Sequence, residues 1–299
     1  MSQQIPVAWV NQYKDNVTML YQQAGSKLRG NVRERSVTGA SDFWDLLGPT
    51  AAIKKTVRHA DTPQVDTPHS RRMVVPVDYE WADLIDKQDI YRILIDPQSA
   101  YAINAAKAMQ RAYDDEVISA FDGTAKSGVA GATTVTFASD WPTTRGAAQG
   151  DEDFSAAALT VPNLTTIKLD LDNNDVDDDS RYIIMSPAGF TQLLKASSAP
   201  QITNADYATV KALVAGQIDT FLGFKFIRST RLPSPSANLR YGYAWHINAM
   251  AVSVGMDMIT RVTERADKGY STQVFCAMSF GATRVQGNGV VRFKLDETK

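Results

Sequence analysis

The chain has 299 residues, 44% of them apolar, and its 31 basic and 33 acidic side chains leave a formal net charge of −2. Such a chain can pack one large globular body or two modest ones, while the near balance of charge excludes a strong positive field, so any contact with DNA is local and weak. The single cysteine, Cys276, excludes an intramolecular disulfide and a thiolate-rich zinc site and suits a reducing cytoplasm; no signal peptide and no run of about 18 apolar residues appears, so neither export nor a membrane is expected.

Residues 1–45 mix Gln, Asn, Tyr and Val with a basic stretch, Lys27 to Arg35, and carry little periodicity. They read as an extended arm with one helix near Val7 to Gln23, resting on its own body or on a neighbour, or else as a disordered leader. Next come two β-rich runs, Ile53 to Arg58 and Arg71 to Val77, flanking a polar segment with Asp61, Pro63, Asp66 and Pro68. This predicts a long hairpin with a wide tip, projecting from the body, in which Pro76, lacking an N–H, suits an edge. Lys54, Lys55, Arg58, Arg71 and Arg72 make it basic, and the first 75 residues hold 10 Lys/Arg against 6 Asp/Glu. Such a loop calls for an acidic surface to lie on.

From Asp96 to Gly123 the pattern predicts a long helix, capped by Asp96, opened by Pro97 and closed by Gly123 in a left-handed conformation. Tyr101, Ala105, Ala108 and Ala112, widened by Met109, Tyr113, Val117 and Phe121, form one packed face. Asp114, Asp115 and Glu116 cluster near its carboxyl end, where the helix dipole disfavours negative charge, so a basic partner is expected.

Gly128 to Asp153 reads as a surface excursion with a short β run, Thr133 to Phe137. A second unit then begins near Leu159: a helix through Leu164 to Leu171, an acidic turn Asp175 to Ser180, a buried strand Tyr182 to Met185, a helix started by Ser186-Pro187, another over Tyr207 to Ala215, and a strand Phe221 to Arg228. Helices alternating with short strands suggest an α/β layer. The remainder is sheet: Tyr241 to Ala244, Ala249 to Gly255, Ile259 to Glu264, Ser271 to Phe280 and Val290 to Leu295, with turns at Lys268-Gly269 and Gly287 to Gly289.

Chemistry is sparse. His59, His69 and His246 stand in no triad or nucleophile-elbow context, and there is no phosphate-cradling or dinucleotide motif, so no catalytic residue, cofactor or metal is assigned. The run from Asp170 resembles the start of a calcium loop but places Asp175 where glycine is required and Arg181 where a bidentate glutamate is required. It reads instead as an acidic counter-surface: residues 140–180 hold 10 acidic side chains against Arg145 and Lys168. Cys276, inside an apolar β run, reads as core. Trp9, Phe43, Trp44, Trp81 and Trp141 fall mostly outside confident elements, where large apolar side chains suit subunit contacts.

An extended arm, a charged hairpin, one long helix, a central α/β unit and returning terminal strands, taken in that order with the segment Met278 to Phe293, resemble the α+β major capsid fold shared by tailed bacteriophages, herpesvirus capsid floors and encapsulins. The resemblance implies an N-terminal arm (1–45), an extended loop (46–82), a peripheral domain with a spine helix (83–158), an axial domain (159–255) and return strands of the peripheral domain (256–299). It implies a non-enzymatic subunit that assembles with itself as hexamers and pentamers into an icosahedral shell, in the virion capsid, after assembly in the host cytoplasm. Portal and separately encoded scaffolding or decoration proteins are its further partners, and packaged double-stranded DNA touches it weakly. An encapsulin-like cargo shell and an α/β hydrolase are the alternatives. Lys54, Lys55, Arg58, Arg71, Arg72, Asp114, Asp115, Glu116, Asp177, Asp178, Asp179, Trp9 and Trp44 are the expected intersubunit contacts. By analogy with relatives that fuse subunits through a Lys–Asn isopeptide bond, Lys54 or Lys55 would pair with Asn288.

Overall fold

The computed structural model describes residues 21–59, 61–86, 97–141, 150–156, 158–196, 212–216 and 219–299. They fall into two compact units: one holds Val77–Asp114 and Gly255–Phe280 with the described part of Met1–Ser26, the other holds Lys27–Pro76, Asp115–Val254 and Gly281–Lys299.

The first unit is built on β4 (Val77–Ile85) running antiparallel to β13 (Ser271–Arg284), from Thr272 opposite Ile85 to Phe280 opposite Val77. Alternation explains it. Val274, Cys276, Met278 and Phe280 point to one face and are buried, as a half-buried strand requires. Phe280 stacks on Tyr79, ring centroids 4.7 Å apart, and meets Tyr113 of the long helix α1 (Pro97–Asp122) at 5.4 Å. On the other side of β13 lies β12 (Met250–Arg265), whose Thr260 hydroxyl approaches the Cys276 sulfur at 3.7 Å. From Gly255 to Arg265 every residue of β12 is exposed.

The second unit carries a six-stranded sheet in the order β7 (Asp151–Asp153), β14 (Val290–Asp296), β11 (Leu239–His246), β8 (Arg181–Met185), β10 (Phe224–Arg228), β9 (Thr220–Phe221). Ile183, Ile184 and Met185 are fully buried in β8, which β10 joins in parallel after the helix α3 (Pro187–Ala196). The helix α2 (Val161–Asp172) starts after Thr160, whose backbone is extended, and takes Pro162 in its first turn. It buries Leu164, Ile167 and Leu171, spaced to share one face. A second sheet has the order β2 (Asp42–Leu47), β3 (His69–Val74), β5 (Ala125–Ser127), β6 (Thr133–Val135). The strand β1 (Arg33–Ser36) pairs in parallel with Ala251–Val254 at the start of β12.

Several expectations change. The hairpin is formed by Asp42–Leu47 against His69–Val74, not by Ile53 to Arg58, which is an exposed loop. Burial decides this: Trp44 packs with Val74, Ala251 and Val285, whereas Lys54, Lys55 and Arg58 leave their run no apolar face. Pro76 falls between β3 and β4 rather than within a strand. Gly123 does not take a left-handed conformation; its N–H continues the helical ladder to the Ser119 carbonyl at 3.1 Å, and a Cβ there would lie 2.6 Å from that oxygen. Phe221 to Arg228 is a tight hairpin, because Leu222 and Gly223 both take positive φ, 52° and 84°. Ala249 to Gly255 and Ile259 to Glu264 belong to one strand, β12. The Asp96 cap lies outside the described residues. So does all but the end of each of the two helices expected at Val7 to Gln23 and Tyr207 to Ala215; residues 212–215 are helical.

Candidate intersubunit surfaces

The loop closing the β2–β3 hairpin is the largest exposed irregular segment among the described residues: 49–59 and 61–66 are exposed throughout. Its backbone is tied at the neck, where the Gly48 N–H donates to the Pro68 carbonyl at 2.8 Å. Lys54, Lys55 and Arg58 sit on it and form no ion pair among the described residues. Arg71, in β3, pairs with Asp45 across the hairpin at 3.0 Å, both well exposed.

Arg72 is different. Its guanidinium bonds the Asp140 carboxylate and donates from Nε to the Val285 carbonyl at 3.2 Å. Asp140 also accepts from Arg284 Nε at 2.9 Å, and the Arg284 side chain has no exposed surface. Arg284 Nη1 donates to both the Phe121 and Gly123 carbonyls, at 2.8 and 3.0 Å, serving orphan acceptors at the end of α1, while Nη2 donates to the Val135 carbonyl at 3.5 Å. One carboxylate thus holds two guanidinium groups inside the subunit. Arg72 is therefore engaged at home, not free on the hairpin surface.

Trp44 is also placed inside. It is 5% exposed, its Nε1 donates to Ser253 Oγ at 3.1 Å, and the Arg33 and Arg35 guanidinium groups cover its ring at 4.9 and 4.4 Å. Ser253 in turn donates to Asp42 at 2.6 Å, and Arg35 Nε donates to the same carboxylate at 3.1 Å. Burial pushes the Asp42 carboxyl up, but the hydrogen bonds from Arg35 and Ser253 outweigh it and hold it below the ordinary value. Trp141 is buried too, donating to the Val290 carbonyl at 3.0 Å. Phe43 and Trp81 are half-buried, and Trp9 lies outside the described residues.

The acidic cluster of α1 is divided. Asp114 is buried, 2% exposed, and accepts from Gln23 and Ser26 in its own unit. Asp115 receives Arg231, the basic partner expected near this helix end. Glu116 is half-buried. The turn after α2 is organised around Arg181, whose side chain is 1% exposed: it bonds Asp172 at 2.6 Å, Asp178 at 3.1 Å and the Asp177 carbonyl at 2.8 Å. Asp177, Asp178 and Asp179 are exposed. Asp178 also faces Lys168 at 3.9 Å.

Along the edge of the six-stranded sheet, β7 is fixed to β14 by charge. Lys294 meets Asp153 at 2.6 Å, and the Lys294 and Ser155 hydrogen bonds lower the Asp153 carboxyl to about 2. Arg292 spans Asp151 and Asp122, the latter at 3.1 Å, and the Asp151 bond foremost raises its affinity for the proton. Tyr243 donates to Asp122 at 3.1 Å; burial first, then the Asp122 charge, pushes its phenol far up.

His59 and His69 are exposed, while His246 is buried and accepts from the Asn248 N–H at 3.3 Å. Among the described residues no three His, Cys, Asp or Glu side chains are grouped to hold a metal ion. Cys276 is free and buried. Asn288 is exposed in the turn before β14. The sequence reading missed Arg284, Asp140 and Arg181. A lone arginine at the end of an apolar strand, beside Gly281 and Ala282, was the signal for the first.

A family model described as phage capsid protein matches residues 5–297. No curated protein matches the chain. Solved structures that it resembles include the capsid of the cyanophage P-SCSP1u, at 15% identity, TM-score 0.72, with 95% of this chain and 92% of that chain covered. A structure from Mycobacterium phage Che8 matches at 14% identity, TM-score 0.65, with 100% of this chain and 99% of that chain covered. The mature capsid of bacteriophage PhiM1 matches at 13% identity, TM-score 0.67, with 95% and 91% covered. At these identities the likeness is one of fold.

Proposed function

The chain belongs to the phage capsid protein family, and from that premise we propose that copies of this structural major capsid protein form the hexamers and pentamers of an icosahedral shell around double-stranded DNA. The exposed residues 49–59 and 61–66 favour this reading: a loop that buries none of them, and in which Lys54, Lys55 and Arg58 form no ion pair among the described residues, gains order by lying on something acidic. The exposed Asp177, Asp178 and Asp179 offer such a surface on a neighbouring copy, with Arg71, Asp115 and Glu116 as further contacts. Arg72, Asp114 and Trp44 act indirectly, by holding the hairpin and helix that present the others. Trp9 is proposed as an arm anchor.

In this reading the peripheral domain comprises residues 83–158 and 256–299 around the long helix, residues 46–82 form the extended loop, and 159–255 form the axial domain. The subunit works mechanically and not as an enzyme, is assembled in the host cytoplasm, meets a portal and scaffolding or decoration proteins, and touches DNA weakly, as its charge of −2 allows. Nothing in the comparisons favours a cargo shell or a hydrolase.

Expression of the full chain followed by electron microscopy tests the proposal. Rings, capsomers or closed shells are the expected products. A stable monomer at high concentration that forms none of them, with or without its phage's other structural proteins, overturns it.

A further inference from the structure

The free edge of β12 carries a second interaction surface. Residues Gly255–Arg265 are exposed on both faces, beyond the point where β1 stops at the Ser36–Val254 pair, and among the described residues no strand pairs with that outer edge. Long open edges with apolar side chains invite strand addition, and this one bears Met256, Met258, Ile259 and Val262, each 36–44% exposed. It holds no proline or lysine to block pairing.

The direction of the backbone groups can be followed along the strand. The Val254 carbonyl accepts from the Val37 N–H on the outer side. Alternation then puts the N–H and C=O groups of Met256, Met258, Thr260 and Val262 on the open edge, and turns those of Asp257, Ile259 and Arg261 inward. Two copies meeting antiparallel about a dyad at Ile259 would exchange hydrogen bonds between Met258 and Thr260 and between Met256 and Val262. The close, non-bonded pairs would be Ile259 with Ile259 and, twice over, Asp257 with Arg261. Charge favours this register, the one antiparallel pairing about a dyad that sets Asp257 opposite Arg261; centring on Arg261 or on Asp257 instead sets a charge against itself.

We infer that Gly255–Thr263 is a self-complementary edge that pairs with the same strand of a second copy across a two-fold axis. The occupant is a second copy because the edge matches itself in charge and in backbone direction, as an isologous contact demands. The inference rests on the shell reading, since an icosahedral shell supplies two-fold contacts between capsomers.

Cysteine cross-linking in assembled particles of the full chain tests it, with the unmodified protein and its buried Cys276 as background. In Ile259→Cys the paired Cα atoms stand about 4.5 Å apart, within reach of a disulfide. Mild oxidation should convert most chains to dimers on a non-reducing gel. Asp257→Cys and Arg261→Cys should each stay monomeric, their own mates lying about 13–14 Å away along the strand, while the two cysteines together should cross-link. Asp257→Arg should lower particle yield by at least tenfold, and adding Arg261→Asp should restore it. Normal particles without a disulfide at 259, a disulfide at 261 alone, or capture of a different protein overturns the inference and leaves the shell reading intact; failure of the unmodified chain to form particles overturns that reading instead.

Discussion

Replacing Arg284 by methionine should be among the most damaging single changes in the subunit. The side chain is fully buried, bonds Asp140 at 2.9 Å and supplies the donors for the Phe121 and Gly123 carbonyls at 2.8 and 3.0 Å. Breaking a buried ion pair by deleting one partner costs about 3–5 kcal/mol. Here the Asp140 carboxylate keeps Arg72, which softens that loss, but two acceptors at the helix end are left bare, at about 1–3 kcal/mol each when buried. The two carbonyls alone come to about 2–6 kcal/mol and the softened ion-pair loss adds to that, so a loss of at least about 3 kcal/mol is expected. Arg284→Lys should recover only part of it, since one ammonium cannot reach the carboxylate and both carbonyls in the geometry of a planar fork. Urea unfolding of unassembled subunits, followed by tryptophan fluorescence, measures the change; Trp141 and Trp245 are buried in the same unit. A loss under about 1 kcal/mol for the methionine variant, with the native fold retained, would show that the guanidinium is not the tie described here.

Ser253→Ala removes both the acceptor of Trp44 and a donor to Asp42, and should cost about 1–3 kcal/mol in the same urea measurement. Gly281→Ala would put a Cβ 2.5 Å from the Val75 carbonyl oxygen, and the resulting shift should destabilise by about 1–3 kcal/mol, read as a lower melting temperature. Acid should loosen the β7 edge. Asp153 binds its proton less readily folded than unfolded, so its contribution is complete above the ordinary value of 3.8 and is lost as pH falls toward about 2. Asp153→Asn should flatten stability against pH across that window, and an NMR titration of the Asp153 carboxyl should place its midpoint near the lower limit. Cys276 should resist a thiol reagent in the native subunit and react fully in denaturant.

Where a stretch of sequence carried its own period and its own stops, its structure could be read directly. The helix from Pro97 to Asp122, the buried strand at Ile183 to Met185 and the apolar β runs around Cys276 and Phe293 are of this kind. The β2–β3 hairpin was misplaced because its first strand, Asp42–Leu47, is chosen by distant partners: Trp44 packs against Ala251 and Val285, contacts that no local pattern encodes. The same holds for the expected contact residues. Arg72 and Arg58 look alike in sequence, yet Asp140 takes one into the interior and leaves the other outside. Asp114 and Asp115 are adjacent, but the turn of the helix aims one at Gln23 and Ser26 and the other at Arg231. Composition reveals that charges exist; only packing says which are already spent.

The order of strands in the larger sheet also governs when the protein can finish folding. The last strand, Val290–Asp296, lies between β7 and β11, and the early strand at Arg33–Ser36 waits for Ala251–Val254. At about 5–20 residues per second, synthesis takes about 15–60 s, and through nearly all of it neither closure is possible. A nascent chain on the ribosome therefore lacks a completed sheet until Val290–Asp296 has emerged to fill the gap between β7 and β11.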